Sequence, residues 1–317
     1  NRVFVSWTKH STRSASFAQA VGATPHWYNQ GDRLGPLKYL VRGALMLSLL
    51  LRERPAVVFC MNPPPFIALT AWLYTLFFNA KFTLDSHTGA FDRKRWVMLT
   101  PLHRFAARRA AFSTVTNQEL ATRIESMGGK AVVVPDIPYT MPDGEYAVAT
   151  DRFTVAFICT YCDDEPVIDM LKAAKLVPDV QFYVTGDTRK VTPEMEAARG
   201  ENVLFTGYLS NEAYAGLLRS VDAILVLTLF DFTMQRGGSE AVTLGKPLIT
   251  SDQSTLRRIF HLGAVHIPNT PEGIKSGVET VRADLPRYQR EILELQEERQ
   301  QRWNRIHDEL ESLLAPR

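Results

Sequence analysis

Short apolar runs alternate with longer segments of helical periodicity along the whole chain. The run 56–60 is a strand-like series of Ala, Val, Phe and Cys, whereas 37–51 repeats apolar residues at the three- and four-residue spacing of a helix. This alternation predicts βα units and parallel sheets, which means an α/β fold.

The predicted elements form two series, and a proline-rich segment separates them. The predicted strands are 3–5, 56–60, 81–84, 112–115, 131–134, 153–158, 181–184, 203–205, 223–227, 247–250 and 264–267. The main predicted helices are 14–21, 37–51, 66–78, 101–110, 118–127, 166–174 and 285–314. Three prolines at 63–65 predict a turn over 61–65, because consecutive prolines cannot donate to a sheet ladder.

Segment 135–150 holds three prolines and a glycine, which predicts a linker between two domains. We therefore expect two doubly wound, Rossmann-like parallel-sheet domains, residues 1–138 and 139–285, facing a cleft. The remaining residues, 286–317, belong to a charged C-terminal helix with one apolar stripe. This helix either packs back across the two domains or forms a dimeric coiled coil.

Charge divides unevenly between the two halves of the chain. Residues 1–150 contain 17 basic and 9 acidic side chains, and residues 151–317 contain 19 and 25. Helices 37–51 and 66–78 are also strongly apolar, and arginines accompany them. Apolar area with basic charge is typical of a protein that lies on an anionic membrane surface, although core burial and an uneven surface remain alternatives.

The chain carries three cysteines and no visible secretory signal, which predicts a reducing, cytoplasmic location, with the inner face of the membrane as the alternative site. The pair Cys159 and Cys162 lacks a second cluster of zinc ligands. Helix 66–78 would rise only about 20 Å, too short for a hydrocarbon core of roughly 30 Å.

The richest motif is 236–252, which opens with Arg236-Gly237-Gly238-Ser239-Glu240. Glycines and a serine at the start of a helix expose backbone N–H groups, which attract a diphosphate. Glu240 follows one turn into that helix, and its carboxylate is suited to accept hydrogen bonds from sugar or ribose hydroxyls. The motif predicts a nucleotide-sugar site.

The order of elements over 202–252 resembles the GT-B glycosyltransferases, specifically the retaining family 4 type. Segment 202–210 is similar to the family's strand and turn beside the nucleobase, and 238–247 to its donor-binding loop, helix and next strand. The resemblance implies a GT-B architecture and a UDP- or GDP-sugar donor. It assigns donor binding to Gly207, Tyr208, Arg236, Gly237, Gly238, Ser239 and Glu240.

The resemblance implies two acidic residues eight positions apart, and this chain lacks the first of them. Glu240 matches the second acid, but Phe232 stands where the first belongs, and Asp231 is one residue off register. With a one-residue insertion, Asp231 becomes a catalytic candidate, and 232–235 would form the floor under the sugar. A solvated loop aspartate is the alternative.

The resemblance also implies an Arg and a Lys after the first strand of the second domain, but the acidic loop 159–166 has neither. Arg236 is the first candidate to replace them, because a guanidinium can hold two phosphate oxygens. Lys246 lies where a helix dipole favours a cation.

In the first domain, His87 follows strand 81–84 at the sheet edge where ligands collect, and the family carries a histidine near this place. His87 is therefore the second catalytic candidate. Lys9 and Arg13, in the first βα loop, and Asn62, at the turn after 56–60, are candidates for an acceptor or a phosphate. A basic surface loop and a plain turn are the alternatives.

Together these features predict a glycosyltransferase that transfers a sugar from a nucleoside diphosphate to an acceptor hydroxyl. The resemblance implies retention of configuration, and without an Asp-x-Asp pair we expect no metal and no cofactor. The acceptor is a sugar or a lipid-linked saccharide in polysaccharide or glycolipid synthesis, and nucleic acid is not an expected partner. A nucleotide-sugar epimerase or hydrolase and a non-catalytic binding subunit remain alternatives, since fold alone does not fix function.

Overall fold

The structure, a computed structural model, describes residues 1–8, 11–30, 32–87, 89–92, 94–135, 137–231 and 235–315. The chain divides into two compact units, Asn1–Tyr139 with Gln300–Arg317, and Thr140–Arg299. Between them, the described part of the predicted linker 135–150 contains neither helix nor strand.

The first unit is a six-stranded parallel sheet with helices on both faces. Its strands are β1 Arg2–Ser6, β2 Thr24–Trp27, β3 Val57–Asn62, β4 Lys81–Ser86, β5 Ser113–Val115 and β6 Ala131–Val133. Its helices before the linker are α1 Thr12–Ala20, α2 Lys38–Glu53, α3 Phe66–Thr75, α4 Gly89–Asp92, α5 Lys94–Val97, α6 Thr100–Arg109 and α7 Gln118–Ser126, and a 3-10 helix covers Asp32–Leu37. The strand order is β2-β1-β3-β4-β5-β6.

The second unit repeats this architecture, with strand order β12-β11-β10-β7-β8-β9, all parallel. Its strands are β7 Phe153–Phe157, β8 Val180–Thr185, β9 Val203–Gly207, β10 Ala223–Val226, β11 Leu248–Ser251 and β12 Ala264–Ile267. Its helices are α8 Val167–Lys175, α9 Pro193–Ala198, α10 Asn211–Ser220, α11 Arg236–Thr243, α12 Ser254–Ile259, α13 Pro271–Ala283 and the start of α14 Leu285–Leu314, and a short 3-10 helix covers Thr188–Lys190. The prediction of two doubly wound parallel-sheet domains is confirmed.

Alternating strand residues give the first unit a core on each face of its sheet. On one face, Val3 and Val58 pack with Met46 and Leu50 of α2. On the other face, Phe4, Phe17 and Phe59 pack with the end of α14, through Trp303 and Leu310. The sheet is therefore buried on both sides, as a parallel sheet requires.

Helix α14 contributes to both units in turn. Residues 285–299 belong to the second unit and 300–314 to the first. In the first unit, Arg2 donates to Glu311 with 2.6 Å between Nη2 and Oε2, and Lys81 Nζ donates to the carbonyl of Leu313 at 3.1 Å. The apolar stripe of this helix therefore completes a core whose other residues come from segment 4–137.

Some elements differ from the sequence-based expectations. The strand pattern missed β2, because it is an edge strand that contains Pro25 and His26 and is only half buried. The predicted turn 61–65 was wrong at its start, since β3 continues through Asn62, the residue before Pro63. Helix α3 ends at Thr75, three residues earlier than expected.

Candidate functional site

Helix α11 begins at the point where the strand order of the second unit's sheet reverses. The chain builds β8 and β9 on one side of β7 and places β10, β11 and β12 on the other, so the switch point lies between β7 and β10. A Cβ added to Gly237 would lie 2.9 Å from Cδ1 of Ile158 and 3.0 Å from Cγ2 of Val226. The first turn of α11 therefore rests on the carboxyl ends of β7 and β10, where open α/β sheets bind ligands.

The second glycine of the motif also has a packing role. A Cβ on Gly238 would lie 2.4 Å from Cζ of Phe260, whose ring is fully buried. Gln235, the residue before α11, makes no side-chain capping bond to the helix. The first-turn N–H groups have no partner within the helix, so the turn that packs against the sheet also presents donors to a ligand.

The carboxylate of Glu240 is buried one turn into α11 and is held at both oxygens. Arg236 Nε donates to Oε1 at 2.8 Å, and the hydroxyl of Tyr214 donates to Oε2 at 2.6 Å. The pairing offsets the cost of burying the charge. The sequence analysis did not single out Tyr214, because α10 is far from the motif along the chain.

The other donor-binding candidates vary in exposure. The side chain of Arg236 is 56% exposed, although it pairs with Glu240. Ser239 is buried, with Oγ 3.4 Å from Arg299 Nη1. Gly207 has a left-handed φ of 72° at the end of β9, and Tyr208 beside it is 88% exposed.

Asp231 lies at the start of α12. Ser254 Oγ donates to its Oδ2 at 3.0 Å, and the N–H of Thr255 lies 3.5 Å from Oδ1. These contacts place the carboxylate at the N-terminus of α12, where it accepts hydrogen bonds from the start of the helix. The expected sugar floor, 232–234, lies outside the described residues.

In the acidic loop after β7, Glu165 accepts hydrogen bonds from the backbone of the same loop. Glu165 Oε2 accepts from the N–H groups of Thr160 and Cys162 at 2.9 and 3.0 Å. Lys190 Nζ donates to the carbonyl of Thr160 at 2.8 Å, which brings a cation to this loop from the 3-10 helix after β8.

Lys246 instead donates to the carbonyl of Val221 at 2.9 Å, so it caps the C-terminus of α10 and not that of α11.

In the first unit, His87 lies beside a buried carboxylate. Its Nε2 is 3.0 Å from Oδ2 of Asp85 and 3.3 Å from Oγ of Ser14. Thr114 Oγ1 donates to the other oxygen of Asp85 at 3.1 Å. The sequence analysis did not single out Asp85.

The pKa of Asp85 is lowered from its ordinary value. Burial acts to raise it, but the charge and hydrogen bond of His87, the charge of Arg13 and the hydroxyl of Thr114 together outweigh burial. Asp85 is therefore a carboxylate that can only accept, so Nε2 of His87 carries the proton.

Asn62 and Arg13, two further candidates of the first unit, lie near this pair. Asn62, at the end of β3, donates from Nδ2 to Ser86 Oγ at 3.2 Å, and its buried Oδ1 has no hydrogen-bond partner among the described residues. Arg13 Nη2 donates to the carbonyl of Val134 at 2.8 Å. Lys9 lies outside the described residues.

No protein-family model matches the chain, and no curated protein sequence matches it. Solved structures do share its fold. Sucrose-phosphate synthase from Thermosynechococcus elongatus is 13% identical, with a TM-score of 0.62 over 99% of this chain and 98% of that one. Anabaena HepE in complex with UDP and glucose is also 13% identical, with a TM-score of 0.64 over 99% of both chains.

An epimerase is also similar in structure. A putative UDP-N-acetylglucosamine 2-epimerase from Listeria monocytogenes is 11% identical, with a TM-score of 0.58 over 92% of this chain and 90% of that one. The chain thus has the two-domain α/β fold of the GT-B glycosyltransferases, and the fold expected from the sequence is confirmed.

Proposed function

We propose that this protein is a glycosyltransferase that moves a sugar from a nucleoside diphosphate sugar to an acceptor hydroxyl. The observation that carries the proposal is the first turn of α11, which rests on the ends of β7 and β10 with the buried carboxylate of Glu240 one turn later. Such a turn suits a diphosphate, and the carboxylate suits ribose hydroxyls. HepE, whose structure contains UDP and glucose, has the same fold.

Donor binding in this proposal exchanges the partner of Arg236. The guanidinium holds Glu240 Oε1, but more than half of its side chain is exposed. A diphosphate at the start of α11 would draw the guanidinium toward its oxygens, because a phosphate accepts a bidentate contact. Oε1 of Glu240 would then be released to a ribose hydroxyl, while Tyr214 keeps Oε2 in place.

The finer assignments rest on the family resemblance. We propose a UDP- or GDP-sugar donor, retention of configuration and no metal, with Arg236 and the first turn of α11 stabilising the leaving diphosphate. His87 would contact the transferred sugar or the acceptor through Nδ1, and Asp231 would replace the missing first acid. The proposed acceptor is a sugar or a lipid-linked saccharide, and the proposed location is the cytoplasm or the inner face of a membrane.

A second candidate function is a nucleotide-sugar epimerase. Its support is the Listeria protein described as a UDP-N-acetylglucosamine 2-epimerase, whose structure covers 92% of this chain. An epimerase needs no acceptor. The two candidate functions therefore differ in whether the reaction requires an acceptor, which can be measured.

Calorimetry with UDP and GDP, followed by product analysis of UDP- and GDP-sugars with and without an acceptor panel, tests the proposal. We expect Glu240→Ala to weaken nucleotide binding by at least about tenfold, since both ribose hydroxyls lose an acceptor. His87→Ala should retain nucleotide binding and lose transfer. Glu201→Ala, at an exposed position before β9, is the matched control.

Wild-type transfer rates in both Glu240→Ala and His87→Ala would refute the site assignment. Conversion of the donor sugar without any acceptor would favour the epimerase. Nucleotide binding with neither reaction, over the whole panel, would favour a non-catalytic subunit.

A further inference from the structure

Helix α2 exposes apolar side chains where a surface helix normally exposes charge. Leu37, just before the helix, and Leu40, Val41, Leu45 and Leu51 within it are 38–72% exposed. The region Arg33–Glu53 is long and apolar enough to cross a membrane, yet only 22% of its most apolar part is buried. In the described part of the first unit, these side chains of α2 face solvent.

The opposite face of α2 is part of the core. Met46, Leu49 and Leu50 are buried against the sheet, and Arg42 donates to the carbonyl of Trp7 at 2.8 Å. The helix proper has 16 residues, about 24 Å, which is shorter than a hydrocarbon core of about 30 Å. The core contacts hold α2 against its sheet, so its exposed face can lie on a bilayer while the opposite face stays packed.

Helix α3 extends this surface. It runs beside α2, since Gly43 faces Thr70 and the guanidinium of Arg54 lies over the ring of Phe78, 5.9 Å from its centroid. Leu73, Leu76 and Phe77 are exposed on α3 and the turn after it, Phe77 to 75%. We call these eight exposed residues of α2, α3 and their flanks the α2–α3 apolar face.

Basic residues flank this face. Segment 33–54 contains five basic residues and one acid, and that acid, Glu53, pairs with Arg52 at 3.3 Å and with His26 at 3.6 Å. Arg33, Arg52 and Arg54 are exposed. The charge around the apolar side chains is therefore positive.

We propose that the α2–α3 apolar face docks on an anionic lipid bilayer, with its leucines and Phe77 in the interface and the arginines on the headgroups. Charge selects this occupant. A second copy bound by two-fold symmetry would bring the same basic residues together, whereas anionic headgroups neutralise them. The inference is independent of the proposed reaction, because binding to lipid requires neither donor nor acceptor.

Co-sedimentation with vesicles tests the inference. The full chain is mixed with vesicles of equal parts phosphatidylcholine and phosphatidylglycerol, or with phosphatidylcholine alone. We expect tighter binding to the anionic vesicles, and weaker binding at high salt. Leu40→Ser/Phe77→Ser, which changes the most exposed residue of each helix region, should lower the partition coefficient at least about tenfold, or about 1.4 kcal/mol.

Two further variants keep the test decisive. Leu204→Ser/Leu293→Ser changes leucines of the second unit that are 45% and 52% exposed, and should bind like wild type. Arg33→Glu/Arg52→Glu should lose the preference for anionic vesicles. Thermal unfolding of each variant verifies that it is folded.

Three results would overturn the inference. The first is wild-type partitioning of Leu40→Ser/Phe77→Ser, and the second is equal binding to neutral and anionic vesicles. The third is a protein that ignores vesicles but forms a dimer that Leu40→Ser/Phe77→Ser dissociates, because the face would then be a contact between copies.

Discussion

The hydroxyl of Tyr214 lies 2.6 Å from Oε2 of the buried Glu240. The bond joins α10 to α11. A buried carboxylate needs donors, because an unpaired charge in a low-dielectric site is costly. Tyr214 therefore fixes the orientation of the carboxylate to which we assign ribose binding.

Replacing Tyr214 with Phe removes this donor and nothing else from the ring. We expect the affinity for UDP to fall about five- to tenfold, and the stability to fall by about 1–3 kcal/mol, because Oε2 is left without its hydroxyl partner. Calorimetry with UDP and denaturant unfolding measure the two effects.

Tyr74→Phe is the matched control. The hydroxyl of Tyr74 donates to the carbonyl of Pro55 at 3.2 Å in the core of the first unit. This variant should lose stability without losing UDP affinity. If Tyr214→Phe also kept wild-type affinity, Tyr214 would have no role in donor binding.

Asp85→Asn should destabilise the protein at neutral pH more than in acid. Burial acts to raise the pKa of Asp85, but His87, Arg13 and Thr114 lower it below the unfolded value of about 3.9. The carboxylate therefore contributes stability above the unfolded pKa, and this contribution disappears as pH falls through the folded pKa. Denaturant unfolding of both proteins at pH 7 and near pH 3 should show the difference shrinking.

Asp187→Asn is the contrasting case. Asp187 is paired with Arg189 at 2.6 Å on the surface, and that hydrogen bond lowers its pKa to about 2. Water and salt screen such a pair, so the pH-dependent difference from wild type should be smaller for this variant than for Asp85→Asn. A pH-independent difference between wild type and Asp85→Asn would contradict the proposed ionisation of Asp85.

Periodicity predicted most of the fold because buried parallel strands and their covering helices have distinct apolar patterns. It failed at β2, where Pro25 and half burial at the sheet edge erase the pattern. It also could not assign the apolar stripe of α14, because a stripe shows that a helix packs without showing against which core.

The candidate site was predictable where it depends on local sequence. The Gly237-Gly238 motif, Glu240 and His87 could be proposed from the sequence because each lies beside a recognisable strand or helix start, and their roles stay predictions. Partners that come from distant segments were missed: Tyr214 lies 26 positions before Glu240, and Ser14 lies 73 positions before His87. Such pairings depend on the order of strands, which local patterns do not contain.

Gly238→Ala should show that this glycine is required for packing. The added Cβ would lie 2.4 Å from Cζ of Phe260, and that ring is fully buried. We expect a loss of about 1–3 kcal/mol, because the core must shift to admit the methyl group. In a double-mutant cycle, Phe260→Leu should relieve part of this loss, and additive losses would contradict the close packing.

Trp303→Ala should destabilise the first unit although Trp303 lies near the end of the chain. The indole is 7% exposed, in a core that includes Phe4, Phe17 and Phe59. Truncation should cost about 3–5 kcal/mol, since a buried aromatic ring leaves a cavity. Hydrogen exchange should then accelerate in β1 and β3.

Leu293→Ala, on the same helix but 52% exposed and in the second unit, should leave exchange in β1 and β3 unchanged. If Trp303→Ala instead showed faster exchange only in the second unit, the assignment of residues 300–314 to the core of the first unit would be contradicted, because loss of the indole would then destabilise the other unit.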